Sequence, residues 1–463
     1  MFKNFKYTFL AAGIIVFFLL LFLPPIQGLS GEGQRALAVF SLILSLWVTH
    51  IFPLSITSLL GIVLLPLLNV MGLDQTFALF GSKAIFFILG ALIIAAGIYQ
   101  TKLGSRIGFK IIAFSGSSPV KLLIGILFAS AFLSCIMPEH AVAAMLFPII
   151  LEIALSLDLK PLESNYGKLL FLTMAWGAVI GGITTFLGGA RNLLAVGLLE
   201  KHYGMSIGFF EWIKYSWPIT LAMLLAFAVI IKFFAKIDIN DTAKSLEKMK
   251  NTKLKKRRLS TAEKKLIFIL VLVLLSWLFL SSVIHIAITS ILGGVSIVAL
   301  KVVSWREVEE YVNWGVILMY GGAIVVASSL VETGVTTWMA DAIFAPLDLA
   351  PFIFMVILTI FTSIMTEGVS NVASVAVILP FAFSAAEAYN FNPVIVTLSV
   401  ALSGGLAFLL PMGTPPNAIA FSSGYFTVKD ALKWGLIIKV IGWIIFILIF
   451  RFYWPLVGLQ LFN

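Results

Sequence analysis

Five polar residues lie between two apolar segments in the second half of the chain: Thr366, Glu367, Ser370, Asn371 and Ser374. Further along, the sequence G-T-P-P-N at residues 413–417 interrupts another apolar run. Hydroxyl, amide and backbone carbonyl oxygens can replace the water around a small ion, and irregular backbone at membrane depth is tolerated where it lines a cavity. The two interruptions therefore predict a membrane-embedded site for small ions.

The first half of the chain contains a degenerate copy of both features. Residues 138–148 match residues 370–380 at an offset of 232, and both segments end in proline. Residues 187–192 match residues 412–417 at an offset of 225. Because a third landmark recurs at a similar offset and in the same order, we predict that the chain consists of two repeats.

The composition is that of a membrane protein, with 61% hydrophobic and 11% charged residues, against about 25% charged in a soluble domain. Residues 7–31 carry no formal charge, and a membrane span needs roughly 20 apolar residues. The net charge of +10 is concentrated in residues 244–265, which is typical of a cytoplasmic loop rather than of nucleic-acid binding. We predict an all-α polytopic protein of the plasma (inner) membrane, with the lipid bilayer as a partner and no nucleic acid.

Charged and polar groups at the two tips, near residues 138 and 370, are costly in lipid, so we predict that each tip belongs to a re-entrant hairpin. Each repeat then has five crossings and the copies are inverted, giving about 11 transmembrane helices. The N-terminus and the basic loop fall in the cytoplasm, and the C-terminus falls outside. The predicted segments are an N-terminal helix (1–33), a first repeat (34–236, hairpin 121–157, broken helix 188–192), a loop (237–265) and a second repeat (266–463, hairpin 350–388, broken helix 413–417).

Glu139 and Arg191 are charged residues that the repeat places near the bilayer centre, where an unpaired charge costs at least about 2.5–3.5 kcal/mol. One hypothesis is an ion pair across the first tip and the first break, with Arg191 supplying the positive charge of a cation. A second hypothesis is that Glu139, with His140 beside it, exchanges protons, because burial favours a neutral carboxyl group. A third interpretation has Arg191 reaching the interface and Glu139 capping a helix.

These motifs resemble the divalent anion–sodium symporter family, which carries dicarboxylates, citrate or sulfate. That family has a Ser-Asn-Thr signature at each of two hairpin tips and a Thr-Pro-Pro-Asn-like break in each of two helices. Ser370-Asn371 resembles the second tip, residues 413–417 resemble the second break, and residues 51–60 resemble an early proline-containing helix. The resemblance implies an elevator-type homodimer, with a scaffold domain and a mobile transport domain in each protomer.

The resemblance also implies which residues bind, although the first tip reads Pro138-Glu139-His140 and the first break contains Arg191. The candidate substrate-binding residues are Ser370, Asn371, Thr414, His140 and Arg191. The candidate ion-coupling residues are Glu139, Gly189, Asn192, Ser370, Asn371, Gly413 and Asn417. A sodium ion is expected at Ser370, Asn371 and Gly413, whereas Arg191 or protonation of Glu139 replaces the first sodium site.

The predicted function is secondary active transport of small anions, chiefly di- or tricarboxylates, by cation-coupled symport with alternating access. The alternatives are a sodium-independent anion exchanger and a proton-coupled carrier, with sulfate as a further substrate. An enzyme is not predicted, because the chain contains no H-E-x-x-H or G-x-S-x-G motif.

Overall fold

The computed structural model describes residues 2–49, 51–114, 116–243, 258–280, 283–347 and 350–462. Within these ranges the chain is helical, and its β-structure is limited to an isolated bridge between Phe391 and Phe462. The helices of the first half are α1 (Phe2–Phe22), α2 (Gly31–Thr49), α3 (Leu54–Leu67), α4 (Leu73–Phe80), α5 (Lys83–Gln100), α6 (Leu103–Ala113), α7 (Pro119–Ser134), α8 (Glu139–Ser156), α9 (Asn165–Gly182), α10 (Ala190–Tyr203) and α11 (Phe209–Phe233).

The second half repeats much of this order. Its helices are α12 (Thr261–Phe279), α13 (Ile286–Ala299), α14 (Trp305–Tyr311), α15 (Trp314–Glu332), α16 (Val335–Met339), α17 (Pro351–Gly368), α18 (Asn371–Tyr389), α19 (Pro393–Ser403), α20 (Pro415–Phe421) and α21 (Val428–Leu448). The last helix continues through a π-helical segment, Ile449–Tyr453, to Leu456.

Seven helices of the described ranges are long and apolar enough to cross a membrane. They are Leu73–Gln100, Glu139–Ser156, Phe209–Phe233, Trp314–Glu332, Pro351–Gly368, Asn371–Tyr389 and Val428–Leu456. Five further apolar helices, of 10–17 residues, are shorter than the roughly 20 residues of a full crossing. The chain is therefore an all-α polytopic membrane protein, as predicted, with seven spans identified by length where the sequence suggested about eleven.

Two equivalent helix pairs pack across the boundary between the halves. Helix α3 of the first half packs along α15 of the second half, and α13 of the second half packs along α5 of the first. By sequence offset, α13 corresponds to α3 and α15 corresponds to α5. The same helix contact is thus made twice, with the roles of the two halves exchanged.

The helix breaks begin upstream of their predicted positions. The chain is non-helical at residues 183–189, against the predicted 188–192, and between α19 and α20 it leaves the α-helix at residue 404 rather than at 413. At the first break glycines explain the shift, because the chain there lies against α7. A Cβ at Gly181 would lie 2.2 Å from the Ala131 carbonyl oxygen, and one at Gly188 would lie 2.3 Å from that of Ser134.

The segments predicted as hairpins form the helix pairs α7/α8 and α17/α18, with short turns at residues 135–138 and 369–370. The predicted basic loop, residues 244–265, falls largely outside the described residues, which resume at residue 258. Helix α12 then begins at Thr261, inside the predicted loop. Ser260 and Glu263 explain this start, because they form a capping box that satisfies two backbone N–H groups.

Candidate functional site

Four helix N-termini meet at one buried point. Glu139 is the first residue of α8, Arg191 the second of α10, Asn371 the first of α18, and Thr414 directly precedes α20. All four residues are at most 6% exposed. We call these four residues the central junction. Because helix N-termini carry partial positive charge and free N–H groups, their convergence favours an anion.

Glu139 connects the other members of the central junction. Its Oε2 accepts a hydrogen bond from Arg191 Nη1 at 3.2 Å, and its Oε1 accepts one from Thr414 Oγ1 at 2.9 Å. Its backbone N–H donates to the Gly188 carbonyl at 2.9 Å. A Cβ at Gly182 would lie 2.4 Å from Oε2, so the missing side chain makes room for the carboxylate.

Arg191 is 1% exposed, yet most of its donors are unused. Among the described residues, Nε and Nη2 have no hydrogen-bond acceptor. The guanidinium lies between two glycines, because a Cβ at Gly189 would be 2.8 Å from Nη1 and one at Gly405 would be 2.4 Å from Nη2. The Nε–Nη2 edge of a guanidinium matches the two oxygens of a carboxylate. An anion that reached this edge would satisfy two buried donors.

The Asn371 side chain brings the second tip into the central junction, because one end of its amide lies 3.5 Å from Glu139 Oε1. Its other end lies 2.9 Å from the Gly413 carbonyl oxygen, with Thr366 Oγ1 beside it. The amide nitrogen is assigned to the end that faces Gly413, because an amide oxygen there would face the Gly413 carbonyl oxygen and the two would repel each other. The amide oxygen then accepts from Arg191 Nη1 at 3.2 Å.

Asn192 and Asn417 brace the two breaks in the same way. Asn192 Nδ2 donates to the carbonyls of Gly182 and Thr185 at 3.0 and 2.7 Å. Asn417 Nδ2 donates to the carbonyls of Ala407 and Leu410 at 3.1 and 3.3 Å. Each side chain thus replaces main-chain hydrogen bonds that the break removes. Their Oδ1 atoms are buried and accept no hydrogen bond among the described residues.

A second buried ion pair, Glu367–Lys439, was not predicted. Lys439 Nζ lies 2.6 Å from Glu367 Oε1 and is 0% exposed. The other oxygen, Oε2, accepts hydrogen bonds from the backbone N–H groups of Leu409 and Leu410, both at 3.0 Å. The signal available in the sequence was a single lysine inside the apolar run of α21, since a charge at that depth requires a partner.

Two of the predicted site residues do not join the central junction. Ser370 caps α18, where its side chain accepts from the Ala373 N–H at 3.2 Å. His140 is exposed, and its imidazole makes no hydrogen bond or ion pair with the described residues. The remaining predicted residues flank the junction: Gly189 and Gly413 lie at the ends of the two breaks, and Asn192 and Asn417 lie in the first turns of α10 and α20.

The oxygen atoms near the junction suit a hard monovalent cation better than a transition metal. Gly413 and Thr366 contribute a carbonyl and a hydroxyl oxygen, and the amide oxygen of Asn371 would join them if the amide turned over. Within the described part of the chain, no three His, Cys, Asp or Glu side chains are grouped as metal ligands. Neutral oxygen ligands are typical of sodium and other hard ions.

Two solved structures of membrane transporters share the fold. The chain matches MtrF of Neisseria gonorrhoeae with a TM-score of 0.60 at 13% identity, over 99% of this chain and 96% of that one. It matches the YdaH transporter of Alcanivorax borkumensis with a TM-score of 0.57 at 12% identity, over 84% and 89%. At this level of identity the likeness concerns the fold alone.

Sequence comparison identifies the family. The chain is 27% identical to the sodium-dependent dicarboxylate transporter SdcS of Staphylococcus saprophyticus, over 96% of this chain and 91% of that protein. It is 29% identical to SdcS of Staphylococcus aureus strain USA300, over 97% and 91%. The family described as the sodium:sulfate symporter transmembrane region matches residues 4–460. The chain therefore belongs to the sodium:sulfate symporter family of membrane transport proteins, which confirms the resemblance found in its motifs.

Proposed function

We propose that the protein is a sodium-coupled symporter of small dicarboxylate anions and that the central junction is its transport site. The family and the sodium-dependent relatives favour sodium-coupled symport over sodium-independent exchange. The observation that carries the assignment to this site is the buried Arg191 side chain, whose Nε and Nη2 have no acceptor among the described residues. A buried donor without a partner is costly, and a substrate carboxylate would remove that cost.

The substrate carboxylate binds the Nε–Nη2 edge of Arg191, where the helix N-termini add to the attraction. In the present conformation Gly405 covers this edge, so the second break must move away before an anion can enter. The hydroxyls of Thr414 and Ser370 lie on the second break and the second tip, where they would bind the remaining substrate oxygens. In this proposal the present conformation is a closed state in which Glu139 neutralises Arg191.

Sodium binds between Asn371, Gly413 and Thr366. When the amide of Asn371 turns over, its oxygen faces the Gly413 carbonyl oxygen at 2.9 Å, beside the Thr366 hydroxyl. Such an oxygen cluster is stable only with a cation among its members, because the partial negative charges otherwise repel each other. Ser370, the capping residue of the same tip, completes the predicted site.

Turning the Asn371 amide couples the two ions. With sodium bound, the amide nitrogen faces Glu139 Oε1 and Arg191 Nη1, so Arg191 loses one acceptor and Glu139 gains a donor. Arg191 then binds an anion more strongly. Because linkage is reciprocal, the anion strengthens sodium binding by the same factor.

A single sodium site of this kind is sufficient in our proposal. In the first half, Arg191 occupies the place of a cation beside Glu139, with 3.2 Å between Nη1 and Oε2. The alternative that Glu139 exchanges protons requires that this pair break during transport. The two proposals therefore predict different driving ions.

Uptake by purified protein in liposomes tests the proposed function. Labelled succinate, citrate and sulfate are offered under an inward sodium gradient or an inward proton gradient. We expect concentrative succinate uptake with sodium and none when choline replaces sodium. Counterflow without sodium would support an exchanger instead, and uptake driven by protons alone would support proton exchange by Glu139. Absence of both uptake and counterflow for all three anions would overturn the proposal.

The finer architecture in this proposal is an elevator-type homodimer with two re-entrant hairpins, α7/α8 and α17/α18. The first repeat covers residues 34–236 and the second covers residues 266–463. The N-terminus and residues 244–265 lie in the cytoplasm, and the C-terminus lies outside. Labelling of single cysteines near each terminus, from one side of the membrane at a time and in a Cys135→Ser background, tests this topology. Labelling of both termini from the same side would contradict it.

A further inference from the structure

A cavity of about 590 Å³ lies away from the central junction, between the beginnings of α9 and α21 and the end of α11. Its polar side carries three lysines, Lys168, Lys236 and Lys433. Apolar residues, among them Phe234 and Ile437, also line the cavity, and we call them its apolar side. Neither transport nor the coupling described above uses this cavity.

The cavity carries excess positive charge. Lys168 pairs with Asp430 at 3.1 Å, and the Asp430 carboxylate also accepts from the Thr427 N–H at 2.9 Å. Lys236 and Lys433 form no ion pair with any residue that the structure describes. The nearby Asp238 is already occupied, because it accepts from the N–H groups that begin α9, both at 2.8 Å. An anion in the cavity would therefore meet two lysines without a competing carboxylate.

The apolar side of the cavity opens toward lipid. Phe234 is 70% exposed and Ile437 is 42% exposed, and both extend the apolar surface of membrane helices. Trp434, next to Lys433 in the chain, also lines the cavity, and tryptophan is enriched at the membrane interface. Because α11 leads directly into residues 237–265, the cavity faces the side of the membrane on which that basic segment lies.

We propose that this cavity binds one anionic phospholipid, with its phosphate at Lys236 and Lys433 and its acyl chains along Phe234 and Ile437. Basic pockets between transmembrane helices are suited to anionic headgroups. A free phosphate would find the same lysines, but it would leave the apolar side of the cavity unfilled. The lipid would connect α9 with α11 and α21. Among the described residues, Lys168–Asp430 is the single ion pair that links these helices.

Native mass spectrometry of the purified full-length chain tests this site, with dioleoylphosphatidylglycerol as the probe and dioleoylphosphatidylcholine as the neutral reference. The test variant is Lys236→Ala/Lys433→Ala. The matched control is Lys110→Ala/Lys121→Ala, which removes the same charge from exposed positions. These positions lie on the same face, because the turn before α7 is tied to Thr242 by a hydrogen bond of 2.9 Å to the Ser117 carbonyl.

We expect the first phosphatidylglycerol to bind the test variant roughly 30-fold more weakly than the native chain, since each lysine contributes about fivefold. The control and the binding of phosphatidylcholine should remain unchanged. An equal loss in the control would show diffuse surface attraction, and an unchanged test variant would show that the lysines do not bind lipid. Displacement of the lipid by inorganic phosphate would assign the cavity to a free anion. Each of these three outcomes would overturn the proposal.

Discussion

The two halves of the protein each bury one ion pair, but the pairs differ in how completely their hydrogen bonds are satisfied. Lys439 Nζ directs its three protons to the Ser363 carbonyl, Glu367 and the Leu406 carbonyl, at 2.5, 2.6 and 3.3 Å. Arg191, with five N–H groups, leaves Nε and Nη2 without acceptors among the described residues. An ion pair whose hydrogen-bond donors all have acceptors stabilises the fold, whereas one with unused buried donors can still bind a ligand.

The buried carboxylates Glu139 and Glu367 occupy different positions in their respective halves. At an offset of 232, Glu139 corresponds to Asn371, and by the same offset Glu367 corresponds to Cys135. Each half therefore has a carboxylate where the other half has a neutral side chain. In the first half the charge lies at the start of a helix, beside the central junction. In the second half it lies at the end of α17, behind the junction. This difference underlies our proposal that the first pair binds substrate and the second supports the structure.

The strongest test of the comparison is Arg191→Ala, which should reduce sodium-dependent succinate uptake by about 1000-fold or more. Truncating one partner of a buried charge pair costs about 2–5 kcal/mol or more, and this variant also loses the anion-binding edge. Arg191→Ala/Glu139→Gln should regain thermal stability without regaining uptake. Lys83→Ala is the control, since Lys83 pairs with Glu200 at the surface. Native uptake by Arg191→Ala would refute the site.

The second pair should respond in stability rather than in substrate recognition. Lys439→Met leaves Glu367 buried without its cation, and breaking a buried pair costs about 3–5 kcal/mol. We expect a large fall in the thermal unfolding midpoint, most of it recovered in Lys439→Met/Glu367→Gln, because glutamine still accepts from the Leu409 N–H. The Michaelis constant of the folded double variant should stay close to native. A lost response to sodium with unchanged stability would instead place this pair in the coupling site.

The smallest expected effect concerns Thr414. Thr414→Val removes the 2.9 Å hydrogen bond to Glu139 Oε1, and a hydrogen bond to a charged group contributes about 1.5–3 kcal/mol. Because the proposed transport site uses the same hydroxyl to bind a substrate oxygen, we expect about a tenfold rise in the Michaelis constant for succinate. Thr414→Ser keeps the hydroxyl and serves as the matched control. A larger effect of Thr414→Ser than of Thr414→Val would show that the methyl group of Thr414 matters rather than its hydroxyl.

Sequence reasoning found much of the site because polar residues in apolar surroundings are conspicuous. Glu139, Arg191, Asn371 and Thr414 were all candidates, and the sequence suggested that the first two form a pair. It missed Lys439, because nothing local indicates which of several helices carries the partner of Glu367. It also placed the breaks too late, since prolines and asparagines are visible in the sequence, whereas the close contacts that require glycine before them are not.

The sequence by itself determined the membrane class and the family, because these depend on composition and on motifs a few residues long. Only the tertiary structure decided that Arg191 keeps an unsatisfied edge and that the Asn371 side chain lies between Glu139 and the Gly413 carbonyl. The physical reason is distance along the chain. Thr414 and Glu139 are separated by 275 residues and Lys439 and Glu367 by 72, so which groups satisfy one another depends on how the folded helices pack.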